Sequence, residues 1–295
     1  MGNHPRPASV PANGAASGEG EGRQMGWRAP DESTADDVPG YTRPPPAPGP
    51  ATTNSRGRRY LKRAVITLVT LVVVVALGVG ALFLVTPSAG EATKLAKEQA
   101  RQHGIAYPGP QVPQNFARAL VATEDHRFYS EPGIDVIAVG RVVKSKLTGG
   151  QDQGGATIEQ QLAKMLYTPG QSSLTAELEQ ITLAFKLNSA YSKQQILRLY
   201  AEVAYYGHGY YGLEQASCGY FGHPASQLTL VQGAMLAGVV NAPSIDDPIN
   251  YPANARARLT HVIDRMVAVG YLTREQGAQA LSAGLGIVPR DQAGC

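Results

Sequence analysis

Between Ala64 and Val85 the chain runs for 22 residues without a charge, mostly Val and Leu. About 20 apolar residues in a helix span the hydrocarbon core of a bilayer, roughly 30 Å thick. The segment is therefore read as a membrane-spanning helix. Arg56, Arg58, Arg59, Lys62 and Arg63 crowd its amino-terminal side, whereas Thr86–Gly90 carry no charge. Cationic flanks stay cytoplasmic, so the residues before the span face inward and those after Thr86 face outward. The competing reading is a cleaved signal peptide, served by the small residues Ser88-Ala89-Gly90. Its apolar region is normally shorter, about 7–15 residues, and nearer the amino terminus. An uncleaved anchor over 64–85 fits better.

The span divides the chain. Residues 1–55 are rich in Pro, Gly, Ala and Ser, as in Pro44–Pro50, with almost no branched apolar side chains. Such a stretch cannot bury enough surface to offset the entropy of ordering, and it is expected to be a disordered cytoplasmic tail. Residues 56–63 form a basic juxtamembrane flank, and 91–295 form one outer domain. A net charge of +3 without a basic stripe interleaved with aromatics gives no reason to expect nucleic acid. Cys218 and Cys295 are the only cysteines, too few for a disulfide framework or a zinc site. Cys218 is expected to be a small buried residue and Cys295 a mobile end, leaving the redox compartment open.

The outer domain reads as mainly α. Four stretches have a hydroxyl followed three residues later by a glutamine, the pattern of a capping box: Thr157–Gln160, Ser192–Gln195, Thr229–Gln232 and Thr273–Gln276. Stop signals recur at helix-length intervals at Gly149-Gly150, Pro169-Gly170, Gly207 and Gly270. Ile196, Leu197, Leu199 and Tyr200 fit one buried helix face. After Thr273 one further helix is expected.

Two clusters carry candidate chemistry. Ala119–Phe128 forms an amphipathic helix ending in Glu124-Asp125, followed by His126 and Arg127. A solvated helix end is the ordinary reading of such a pair. The carboxyl end of a helix favours cations, however, so two carboxylates there carry a small cost that hints at use. The second cluster is Gly154–Lys164, a glycine pair leading into a capped helix whose free N–H groups suit an anion. Gln160, Gln161 and Lys164 lie within about one turn of each other there. A capped surface helix is its ordinary reading.

Together these clusters resemble glycosyltransferase family 51, the transglycosylase domain of penicillin-binding proteins and their monofunctional, membrane-anchored relatives. Glu124-Asp125-x-x-Phe128-x-x-x-x-Gly133 is similar to its Glu-Asp-x-x-Phe-x-x-His-x-Gly motif. Gly154–Lys164 is similar to Gly-Gly-Ser-Thr-Ile-Thr-Gln-Gln-Leu-x-Lys. Tyr191–Tyr200, Gly209–Ala216, Tyr220-Phe221-Gly222 and Ala234–Gly238 with Pro243-Ser244 continue the resemblance over roughly 105–272. It implies a lysozyme-like helical domain behind a single amino-terminal transmembrane helix, in the plasma membrane with the amino terminus cytoplasmic. The implied activity is polymerisation of lipid II into β-1,4-linked glycan, with inversion and release of undecaprenyl diphosphate. The implied partners are lipid II, the growing lipid-linked chain, the membrane and other cell-wall synthesis proteins.

In such enzymes Glu124 is the general base, taking the proton of the acceptor 4-hydroxyl, with Asp125 assisting. Arg127, Phe128, Thr157, Gln160, Gln161, Lys164, Gln180 and Lys193 are implied to bind substrate. The resemblance also implies a divalent cation, Mg²⁺ or Mn²⁺, with Glu124 as a ligand, and no organic cofactor. Val136, Ile137, Val139, Val142 and Val143 form a candidate apolar patch for the lipid tail, with ordinary core as the alternative.

The departures are specific. Glu131 stands for the motif histidine, Ala156 for Ser and Glu159 for the second Thr. In the third motif, Arg-Lys-x-x-Glu-x-x-x-Ala, the chain has Ala176, Glu177 and Gln180 for the two cations and the carboxylate. Two readings follow. Other groups, Lys186 or Lys193, hold the diphosphate in an active enzyme, or a weakened homologue binds lipid II or cell-wall synthesis partners without turnover. A lysozyme-like hydrolase is a third reading, with Glu124 as the acid such cleavage needs. No Ser-x-x-Lys occurs with downstream Ser-x-Asn and Lys-Thr-Gly, so no transpeptidase is expected, and little chain follows 272 to hold one.

Overall fold

The computed structural model describes residues 45, 47, 55–135, 148, 155–289, 291 and 293–295. The chain divides into units 1–64 and 65–295. The expected tail apart from 45, 47 and 55, the glycines at 149, 150 and 154, and the patch of Val136, Ile137, Val139, Val142 and Val143 fall outside the described residues.

Among the described residues the regular structure is helical. One isolated bridge, Tyr205 to Tyr211, is the sole β pairing. Helix α1, Ser55–Val85, is long and apolar enough to cross a membrane, by length and composition. Its large side chains stay exposed along its length, Leu71 at 58%, Val75 at 56% and Leu84 at 88%. A helix of a water-soluble domain would bury one face.

The domain after α1 contains α2 (Ala92–Gln102), α3 (Gln114–Glu124), α4 (Ile158–Tyr167) and α5 (Leu174–Ala190). It continues with α6 (Lys193–Val203), α7 (Leu213–Phe221), α8 (Leu230–Val239), α9 (Pro252–Ala268) and α10 (Arg274–Ser282). The four hydroxyl–glutamine patterns all form capping boxes, starting α4, α6, α8 and α10. Pro169-Gly170 follows the end of α4, and Gly270 follows α9 with φ of 80°. Helix α6 stops at Val203, four residues before Gly207.

Helix α8 is the centre, buried along nearly its whole length and packed on α3 and α9. Two glycines permit that closeness. A Cβ on Gly233 would stand 2.9 Å from the Phe116 backbone nitrogen, and one on Gly238 would stand 3.0 Å from Arg258 Cγ. A second group, α4 packed on α5 and α6, completes one continuous core.

The cysteines correct the sequence reading. Cys218 and Cys295, 77 residues apart in sequence, form a disulfide with Cα atoms 5.3 Å apart. The end of the chain is also tied by Val288 N–H to the Tyr220 carbonyl and Gly294 N–H to the Cys218 carbonyl. Cys295 is therefore an anchor point rather than a mobile end. Its partner lies on another element, and no local pattern could reveal that.

Candidate active site

Helix α3 ends at Glu124, and its carboxylate is met from three directions. Gln161 Nε2 on α4 and Asn241 Nδ2 after α8 each donate to Oε2 at 3.1 Å. Arg258 on α9 donates to Oε1 at 2.8 Å. The carboxylate is held with its side chain 7% exposed. Gln161 is oriented in turn by the Tyr200 hydroxyl, which donates to its carbonyl oxygen at 2.8 Å. That leaves the Gln161 amide nitrogen for Glu124. Burial pushes the Tyr200 hydroxyl well above the usual phenol range, aided by the nearby Glu124 charge, so it stays a donor. Arg258 also gives Nε to the Gly238 carbonyl at 3.2 Å, which pins the guanidinium.

Asn241, Arg258 and the hydrogen bond of Tyr200 were missed from sequence. Arg258 did leave a signal. It sits among Ala255, Leu259, Val262, Ile263 and Met266, all buried on one face of α9. A cation in such a stripe needs an acid partner.

The other predicted residues divide clearly. Lys164 is exposed, one turn beyond Gln161, and has no ion-pair partner among the described residues. Thr157 is buried, accepting from Gln160 N–H and donating to the Gly133 carbonyl at 2.8 Å. Gln160 completes the cap by accepting from Thr157 N–H at 3.1 Å. Both residues build the start of α4. Phe128 has no exposure, and Lys193 lies 4.5 Å over its ring. Lys193 Nζ donates to Glu159 Oε1 at 2.7 Å and to the Glu131 carbonyl at 2.8 Å. Arg127 pairs with Asp135 and contacts His126. Lys186 donates to carbonyls of Phe83, Thr86 and Pro87, where the carboxyl end of α1 favours a cation. Gln180 gives its amide to the Thr168 hydroxyl at 2.8 Å.

Asp125, one residue beyond Glu124, has different partners. Its Oδ2 accepts from Ile158 N–H at 3.1 Å, at the amino terminus of α4, and it is 7% exposed. The donor set at Glu124 does not fit a divalent cation. The carboxylate is already matched by a guanidinium and two amides, Asp125 is engaged elsewhere, and position 180 offers an amide. No cluster of three His, Cys, Asp or Glu suited to a metal occurs among the described residues.

A helical domain that fixes one carboxylate with donors from two helices and the turn after a third is a setting for acid–base chemistry on a bound substrate. A family model described as Transglycosylase matches residues 91–267, and the chain belongs to that family; it is a glycosyltransferase. It is 38% identical over 169 residues to penicillin-binding protein 2a of Streptococcus pneumoniae, covering 57% of this chain and 23% of that one. It is 40% identical over 161 residues to penicillin-binding protein 1A of Mycobacterium tuberculosis, covering 53% and 20%. A Cupriavidus necator protein whose name carries the word transglycosylase is 37% identical over 174 residues, covering 59% and 75%. The chain spans about a quarter or less of the penicillin-binding proteins it matches.

Proposed function

We propose that this glycosyltransferase polymerises lipid II into β-1,4-linked glycan on the outer face of the plasma membrane, with Glu124 as general base. The observation that carries the reading is the convergence of Gln161, Asn241 and Arg258 on one carboxylate. A sugar hydroxyl is a poor nucleophile until a fixed base accepts its proton. The acceptor 4-oxygen attacks the anomeric carbon from the face opposite the leaving group, its proton passes to Glu124, and the bond to undecaprenyl diphosphate breaks with inversion. The diphosphate leaves as an anion and needs a cation or aligned donors rather than a proton. Lys164 is the exposed cation nearest in sequence to Gln161 and takes that role. Lys186 and Lys193 are bound elsewhere. No step is routed through a metal.

Two features support the topology: the basic flank before α1 and the Cys218–Cys295 disulfide, a bond that persists in oxidising surroundings outside the cytoplasm. A second reading, binding of the lipid-linked substrate without turnover, is favoured by Ala176, Glu177 and Gln180. The test is labelled lipid II with the purified full chain, with magnesium, manganese or chelator, read as polymer on a gel. Polymer from wild type in all three conditions, and none from Glu124→Gln, is the expected result. Lipid II binding without polymer would replace this reading with the second.

A further inference from the structure

Away from the Glu124 site, the loop after α2 and the start of α7 enclose a cavity of about 280 Å³ against α6. Tyr200 and Glu202 are two residues apart on α6, a rotation of about 200° around the helix. Tyr200 therefore serves Gln161 on one face while Glu202 lines the cavity on the other. None of Glu124, Gln161, Asn241, Arg258 and Lys164 lines it. Its walls are mostly apolar, from Ile105, Ala106, Pro108, Pro110, Val112 and Leu213, and its charged residues are both acids, Glu202 and Glu214. Glu202 is 8% exposed. Its Oε1 accepts from Gly109 N–H at 2.7 Å and from Arg198 Nε at 3.2 Å, and its Oε2 accepts no hydrogen bond among the described residues. Arg198 also donates to the Gly109 carbonyl and does not line the cavity. A buried carboxylate with one oxygen unmatched is costly unless a donor or a cation meets it.

We infer that this cavity is a binding site for a small ammonium compound with a hydrocarbon body, its N⁺–H donating to Glu202 Oε2 and its body lying against the apolar walls.

The lining selects that class. An anion would meet two carboxylates and no cation in the wall. A neutral apolar ligand would leave Oε2 unmatched, and a charge-assisted hydrogen bond is about twice as strong as a neutral one. Burial pushes the Glu202 carboxyl up, with Gly109 N–H and Arg198 pulling the other way, and a bound cation adds to that pull. Sites for drug-sized molecules begin at about 300 Å³, so this one suits a single ring or a short chain. The walls are fixed in advance. Tyr211 N–H donates to Gln215 Oε1 at 2.8 Å, Ala225 N–H donates to Glu214 Oε2 at 2.9 Å, and Cys218 is tied to Cys295. A Cβ on Gly109 would stand 3.0 Å from Glu202 Cγ, so glycine lets the loop close on the carboxylate. A preformed site loses less entropy on binding.

The test is a ligand-detected NMR titration of the full chain in detergent, referenced to detergent alone. The probes are phenethylammonium and 2-phenylethanol, its neutral counterpart of nearly the same shape. Wild type should bind the ammonium about tenfold more tightly than the alcohol, the scale of one charge-assisted hydrogen bond. Glu202→Gln keeps an acceptor for Gly109 N–H and loses the charge, and should abolish that preference. Ala106 is exposed in the wall, so Ala106→Trp narrows the cavity without disturbing the core and should weaken both probes. It decides the question if Glu202→Gln does not fold. Equal affinities in wild type, an ammonium preference that survives in folded Glu202→Gln, or affinities untouched by Ala106→Trp would overturn the inference. None of these outcomes depends on whether the chain polymerises lipid II.

Discussion

Glu124 and Asp125 are adjacent in the chain, yet they belong to two electrostatic regions. Around Glu124 every partner is a donor: two amides and a guanidinium, drawn from positions 37, 117 and 134 residues away. Around Asp125 the partners are a helix N–H and further carboxyl groups, with Lys193 and Arg127 one contact removed. The first arrangement holds a charge ready to accept a proton from outside. The second is turned inward and fixes backbone at the start of α4. The same residue pair therefore supplies chemistry on one side and geometry on the other, with α4 as the element they share.

The sharpest way to break that comparison is at Glu124. Glu124→Gln keeps the shape and an acceptor for Arg258 but cannot take a proton, and should lower the polymerisation rate by about 10²–10⁴-fold. The circular dichroism spectrum should be unchanged. Comparable loss on Asp125→Asn with an unchanged fold would mean that the two carboxylates share one role.

Arg258 comes next. Arg258→Ala removes the only cation on Glu124 among the described residues, together with the donor to the Gly238 carbonyl. A loss of about 100-fold in kcat is expected. Arg258→Lys should recover about a tenth of wild-type rate, because charge returns without the planar fork. Equal rates for the two variants would show that charge alone matters there. Tyr200→Phe should cost less, about tenfold, by freeing the Gln161 amide to turn its oxygen toward Glu124. Its kcat should fall more than its KM rises, and a change confined to KM would place Gln161 in binding instead.

How much of this was legible follows from how local each signal is. A capping box is written within four residues, and all four such patterns start helices. The end of α3 at Glu124 and the buried face of Ile196, Leu197, Leu199 and Tyr200 are also local. The Glu124 partners Asn241 and Arg258 join through tertiary packing on α8 and α9, which no short window contains. The disulfide is the same case. Sequence placed Phe128, Thr157, Gln160 and Lys193 at the site by motif, and they do lie in the elements that build it. Phe128 and Thr157 are buried, Gln160 closes the cap of α4 and Lys193 pairs with Glu159, so all four hold the local structure around the site. Gln180 shows the converse. It stands at a position the motif gives to a carboxylate, and its amide closes onto Thr168.

The smallest expected effect tests the Asp125 side through stability alone. Glu131 has its folded-state pKa raised to about 7 from an ordinary value of 4.5. The folded chain therefore keeps a proton that the unfolded chain has released between those two values. Stability then falls as pH rises from about 4.5 to about 7, and it levels above that, because there both states have lost the proton. Glu159 is also raised by burial, against the pull of Lys193, and contributes a slope of the same sign that remains in a Glu131 variant. The informative quantity is therefore the difference in Tm between wild type and Glu131→Gln across that range. Wild type should lose a few degrees relative to the variant, since about 1 kcal/mol shifts a domain of this size by about 2–4 °C. Parallel curves would mean that Glu131 holds no proton in the folded chain, and the contrast between the two carboxylate regions would then rest on their hydrogen-bond partners alone.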